Sequence, residues 1–242
     1  MKVRWQKWVR KAHRYLGVLI GIQFLLWTIG GLYFSWMDLD TVHGTDRLAP
    51  APTLEDDHDQ ASLDSILKQL AESDMKRLQR VEFLIISTTA AVYRISFEDR
   101  EGEPATRLFD AASAAEREPL SEEESRLLAT LRYDGSAEVL STEYIEAAGP
   151  HDEYRELPLP AYAFTFDDAR KTTIYVAPKN ARITSLRNNQ WRIFDFMWML
   201  HTMDYEGRDN FNNRLLQAFA LFGLLTIGSG FALFFMTSRF LK

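Results

Sequence analysis

The chain has 242 residues, 46% of them hydrophobic, with 34 acidic residues against 28 basic ones and no cysteine. Without thiols there are no disulfide staples, thiolate metal centres or cysteine nucleophiles. All acids fall between Asp38 and Asp209, where they outnumber the bases, so the middle of the chain repels phosphate backbones and nucleic acid is excluded as a partner.

Residues 1–14 form a basic tail, with Lys2, Arg4, Lys7, Arg10, Lys11 and Arg14 and no acid. Tyr15–Trp36 follows, 22 residues without a charge, with Gln23 and Thr28 as its notable polar groups. At 1.5 Å per residue a helix of this length covers roughly 30 Å, the thickness of a bilayer's hydrocarbon core. The run exceeds the roughly 7–15 residues of a signal-peptide core, and no small-x-small cleavage site follows it, so 15–36 reads as an uncleaved span.

Residues 37–61 read as an irregular linker with Gly44, Pro50, Pro52 and many acids. Within it "EDDHD", 55–59, either holds a divalent cation loosely or is a solvated charged loop; His43, His58 and His151 all lie in acidic loops. The unit 62–120 opens with an amphipathic helix whose apolar face is Leu63, Ile66, Leu67 and Leu70, with Ser62 at the cap position. "VEFLIISTT", "AVYRISFED" and "TRLFDAAS" read as strands, the last two joined by the turn "REGEPA". The unit 121–190 repeats the order. Ser121 and Glu124 have capping-box spacing at a helix start, and "AYAFTFDD" and "TTIYVAPKNARITSL" supply further strands. Phe97 and Phe166 are 69 positions apart, as are Asp99 and Asp168, which points to two copies of one α+β unit.

Residues 191–206 place Trp191, Phe194, Trp198 and His201 on one helical face beside Met197. Such a helix lies flat on a leaflet or covers the strands. Met199 and Met203 read as packing residues, with ligation of haem iron or copper as the alternative. Leu215–Met236 is a second run of 22 residues without charge, and 237–242 is a tail with Arg239 and Lys242. Basic residues at both ends place both termini in the cytoplasm and 37–213 in the periplasm or outside, an inner-membrane topology. Trp5, Trp8, Tyr15, Trp27, Tyr33 and Trp36 supply aromatic belts. Antiparallel helices would bring Gly17 and Gly21 near Ser229 and Gly230, and Gly30 and Gly31 near Ala218–Gly223. Gly17, Gly21 and Gly223 alternatively mark the surface for a homodimer or another membrane subunit.

"YVAPKNARI" resembles the closing strands of a PepSY domain, which typically read Tyr-Val-Asp-Pro-x-x-Gly; here Ala177 stands for the Asp and Ala181 for the Gly. "RKAHRYLGVLIGIQFLLWTIGGLYFSW" resembles the PepSY-associated membrane helix. By this resemblance the chain is identified as a two-span member of the PepSY-TM family. The fold expected is a membrane protein of α+β class, two transmembrane helices flanking a periplasmic tandem of PepSY-like units.

The resemblance implicates His13, and more weakly His201, as haem ligands, because larger members carry b-type haem on four membrane helices and some are linked to ferric-siderophore reduction. Two imidazoles can hold a haem that passes single electrons. Here the two histidines lie at opposite ends of a span and cannot share one iron within a chain, so haem b would need a dimer or a partner subunit. Otherwise His13 binds anionic headgroups beside Arg10, Lys11 and Arg14. No hydrolase, transferase or nucleotide motif is present. Two functions follow from the resemblance. One is an accessory or electron-transfer subunit of a membrane redox or siderophore-reducing system. The other is a membrane-anchored binding module that inhibits or chaperones a periplasmic partner such as a peptidase.

Overall fold

The computed structural model describes residues 2–52 and 60–237. The "EDDHD" run with His58, and Arg239 and Lys242, lie outside the described residues. The described residues fall into two compact units, Leu39–Trp191 and Met1–Asp38 with Arg192–Lys242.

Helix α1, Lys2–Trp36, continues through the basic tail without a break, since Lys, Arg and Gln are all good helix formers. Helix α6 spans Arg214–Thr237, and α5 lies before it in the chain at Asn189–Thr202. Both α1 and α6 are long and apolar enough to cross a membrane. The core helix of a soluble domain would bury its apolar side chains, whereas Ile22, Phe24, Leu224, Ile227 and Phe231 all face outward.

Within this unit, α5 runs antiparallel along positions 23–34 of α1. Phe194 meets Phe34 at 4.8 Å between ring centroids, Met197 borders Gly30, and the Leu200 carbonyl accepts a hydrogen bond of 2.8 Å from Gln23. The aromatic face of α5 finds its partner in α1, and the buried Gln23 amide is satisfied there rather than by water. The glycines differ from expectation. A Cβ on Gly17, Gly21, Gly31, Gly223 or Gly228 would meet nothing within 4 Å among the described residues, so no neighbouring helix closes over these positions there. At Gly230 it would meet His13 Cε1 at 3.3 Å: the imidazole takes the place expected for Gly17 and Gly21.

The unit Leu39–Trp191 contains α2 (Leu39–His43), α3 (Leu63–Ser73), strands β1 (Met75–Ile85), β2 (Ala91–Asp99), β3 (Pro104–Asp110) and β4 (Glu116–Arg117), then α4 (Glu122–Arg132) and strands β5 (Val139–Ile145), β6 (Ala161–Phe166), β7 (Thr173–Ala177) and β8 (Arg182–Arg187). The strands make two four-stranded antiparallel meanders in sequential order, each led by one helix, with β1 and β8 at sheet edges. In β2 the alternation sends Tyr93, Ile95 and Phe97 to the face under α3, where Ile66 and Leu70 are buried. The opposite face contributes Val92 to a second core shared with the other meander, where it joins Ile86, Leu108, Phe164, Phe166 and Ile174. Phe97 and Phe166 are both fully buried.

Helix α4 begins with the expected capping box. The Ser121 hydroxyl accepts from Glu124 N–H at 3.2 Å, and Glu124 Oε2 accepts from Ser121 N–H at 2.8 Å. Such a cap contributes about 1 kcal/mol. Ser62 stands at the N-cap of α3 without a side-chain capping bond; its carbonyl accepts from the Ser65 hydroxyl instead. Ahead of α3, Gly44 at φ 73° turns the chain so that Thr41 O accepts from Asn188 Nδ2 at 2.8 Å. A Cβ at Gly44 would lie 3.3 Å from Leu186 Cβ, so the segment after α2 is held close beside β8.

Candidate functional site

His13 is half-buried on α1, and its Nδ1 lies 2.7 Å from Ser229 Oγ on α6. His201 sits near the end of α5 among three rings: Trp27 and Phe34 of α1, at 5.8 and 6.1 Å between centroids, and Trp198, stacked at 6.3 Å. Its Nδ1 is buried and has no hydrogen-bond partner among the described residues, and the same holds for Trp27 Nε1. Leaving such a nitrogen unpaired costs about 1–3 kcal/mol.

The turn after α5 is strongly tied. Asp204 accepts from the N–H groups of Asn210 at 2.9 Å and Gly207 at 3.2 Å, and these backbone donors hold its carboxyl below the usual carboxylate range despite burial. The Thr202 hydroxyl donates to Arg208 O at 2.9 Å. Arg208 pairs with the buried Asp195, and Trp198 Nε1 donates to Asp209 at 2.9 Å. Asn213 then caps α6 by accepting from Leu216 N–H at 2.8 Å.

The structure does not bring the two predicted histidines together. His13 marks one level of α1, whereas His201 packs against positions 27 and 34. A rise of 1.5 Å per residue separates these levels by roughly 20–30 Å. Two axial ligands must touch the same iron, so the pair does not fit one haem within the chain. Each imidazole fits at most one axial position, and His201 has rings on several sides.

A second site was not legible in the sequence. A cavity of about 550 Å³ in the unit Leu39–Trp191 is lined by β1, β8, the end of α4 and the segment after α2. Four arginines line it, Arg94, Arg132, Arg182 and Arg187, and among the described residues no carboxylate does. Arg94 is 6% exposed; it pairs with Glu82 at 2.6 Å and donates to Asn180 O at 2.7 Å, tying β2 to the turn before β8. Arg132 Nε donates to Ala49 O at 2.9 Å. The Arg187 guanidinium stacks 4.0 Å over the Trp191 ring and donates to Glu153 O. Burial lowers the pKa of both Arg132 and Arg187 from the ordinary arginine value. The four residues come from three elements, β2, α4 and β8, so only the fold assembles them. Elsewhere Asp74, Asp99 and Glu101 place carboxylate oxygens near one another, but Arg107 pairs with Asp74 at 2.7 Å.

A family model described as "PepSY-associated TM region" matches residues 1–237. No curated protein and no solved structure matches the chain.

Proposed function

Because the chain belongs to the PepSY-associated TM region family and is a membrane protein, we propose that it is a membrane-anchored accessory subunit whose α+β domain engages a protein partner. The observation that carries this reading is the arginine-lined cavity. Four arginines border one space in the stretch of chain that holds the acidic residues. Arg94 and Arg187 are engaged with Glu82 and Trp191, and Arg132 and Arg182 have no carboxylate partner among the described residues, so a bound anionic group would offset the cost of gathering cations there. The helices α1 and α6 hold the domain at the bilayer. The basic flanks support both termini in the cytoplasm and the domain on the outer side of an inner membrane. On this reading the partner belongs to a membrane redox or siderophore-reducing system, or is an outer enzyme, such as a peptidase, that the domain restrains. Gentle extraction of native membranes tests it. The chain should migrate in a complex larger than itself, and migration alone would overturn the reading.

A second reading, electron transfer through haem b, rests on one observation: the buried, unpartnered Nδ1 of His201 among aromatic rings. In this form a second chain supplies the other axial ligand, to His201 or to His13. The extracted protein should then show a Soret band that shifts on reduction and is lost in His201→Ala or His13→Ala. A colourless complex, obtained from cells supplied with haem, would end this reading and leave the first.

A further inference from the structure

Strands β1 and β8 are both sheet edges. Phe83, Leu84 and Ile85 of β1 and all of Arg182–Arg187 line the same cavity. Successive residues of a strand point to opposite faces. Leu84 and Ile183 turn toward the shared core, whereas Phe83 turns toward the α3 side. A space bordered by both kinds looks onto the strand edges themselves. Among the described residues β1 is laddered only to β2 and β8 only to β7, and residues 83–85 and 182–187 make no further main-chain bond to another segment. Leu186 O is the exception to full openness, accepting from the Arg187 guanidinium.

The charge of this space is as specific as its shape. Arg94 is matched by Glu82, but Arg132 and Arg182 have no carboxylate partner among the described residues. A small anion would answer the arginines and leave both strand edges unpaired. An apolar peptide would do the reverse. One class of occupant answers both.

We propose that the cavity receives an extended, acidic segment of a partner protein, which adds as a strand along the β8 edge with its carboxylates on Arg132 and Arg182. The proposal rests on the accessory-subunit reading and says how the partner is held. An added strand lies about 4.8 Å from β8 and takes its main-chain hydrogen bonds from the edge. Its alternate side chains reach Leu84 and Ile183, the apolar floor of the space. Affinity comes from the ladder and the charge pairs together, and specificity from the alternation of acidic and apolar residues.

The test uses the full chain in detergent and fluorescence anisotropy. The probe is a fluorescein-labelled nonapeptide alternating glutamate and valine. Comparison peptides replace glutamate by lysine, or carry N-methyl groups on every second amide in either register. The acidic peptide should bind. The lysine peptide and at least one N-methylated peptide should bind tenfold or more weakly. The double variant Arg132→Gln, Arg182→Gln should bind tenfold or more weakly, and Arg182→Gln alone threefold or more. Arg182 is exposed, so the single change keeps the fold intact. Amide exchange at 182–187 should slow on binding. Equal binding of both N-methylated peptides, with displacement by citrate, would mean a plain anion site and overturn the proposal; so would no binding of the acidic peptide. If the proposal fails while the extracted complex persists unchanged in the double variant, the accessory reading stands. If no complex is found either, both readings fall.

Discussion

Asp99 and Asp168, 69 positions apart, make the same turn. Oδ1 of each accepts from the backbone N–H four residues on, Glu103 and Thr172, at 2.8 Å in both cases. The carbonyl of each accepts from the residue three on, Gly102 and Lys171, at 3.1 Å, and both of these donors have positive φ. Asp168 additionally accepts from the Thr172 hydroxyl at 2.6 Å and the Tyr133 hydroxyl at 3.2 Å. Replacing Asp168 by Ala should therefore cost about 2–3 kcal/mol, and Asp99 about 1 kcal/mol. Denaturant titration of the full chain in detergent checks the order.

Hydrogen bonds to Asp110 and Asp168 set a pH dependence. Hydrogen bonds from the Ser113 N–H and hydroxyl hold the Asp110 carboxyl below its ordinary value. At Asp168 burial pushes the carboxyl up, but the Thr172 and Tyr133 hydrogen bonds outweigh it and the net direction is down. A native pKa below the unfolded one stabilises the fold above the unfolded value, and that contribution disappears as pH falls through the native value. The melting-temperature gap between the native chain and Asp110→Asn should be full at pH 7. It should shrink progressively once pH drops below about 4, the unfolded carboxylate range.

Ala114 and Ala181 occupy positive φ, 62° and 46°, where a Cβ is strained. Ala181 is the position where the PepSY pattern has glycine. Ala114→Gly should stabilise the protein by about 0.5–1 kcal/mol. Ala181 also packs in the shared core at 3% exposure, and losing that methyl costs about 0.8 kcal/mol, so Ala181→Gly should be near neutral. Parallel melts of the two variants separate the outcomes.

The membrane glycines divide into two kinds. Gly230→Val drives a side chain into His13 and should cost about 1–3 kcal/mol, with loss of the Ser229 contact. Gly17→Ala, Gly21→Ala and Gly223→Ala open into free space and should leave the stability of the single chain unchanged. Thermal inactivation in detergent distinguishes them. If these three instead lower the molecular mass of the extracted complex, they face another subunit.

Local patterns were readable where they are self-contained. The apolar face of α3, the capping box of α4 and the alternation of β2 each lie within a dozen residues. Strand β5 was missed because, as a sheet edge, it exposes Leu140, Ser141, Glu143 and Tyr144 and carries no clean alternation. Strand β1 begins at Met75 rather than Val81, since "MKRLQR" is charged and largely exposed yet still pairs with β2. The partner of α5 was hidden for another reason. An aromatic helix face specifies burial but not against what, and Gln23 meets Leu200 across 177 positions. The arginine cavity is the extreme case, with residues from β2, α4 and β8 that share no local signal.

One core serves both meanders. Ile86, Val92 and Leu108 from the first lie in the same cluster as Phe164, Phe166 and Ile174 from the second. Cutting the chain between the repeats would strip water-shy surface from each half, so neither should be expressible by itself, and the pair should melt in a single cooperative step. On this expectation the two meanders form an obligate couple rather than two interchangeable parts.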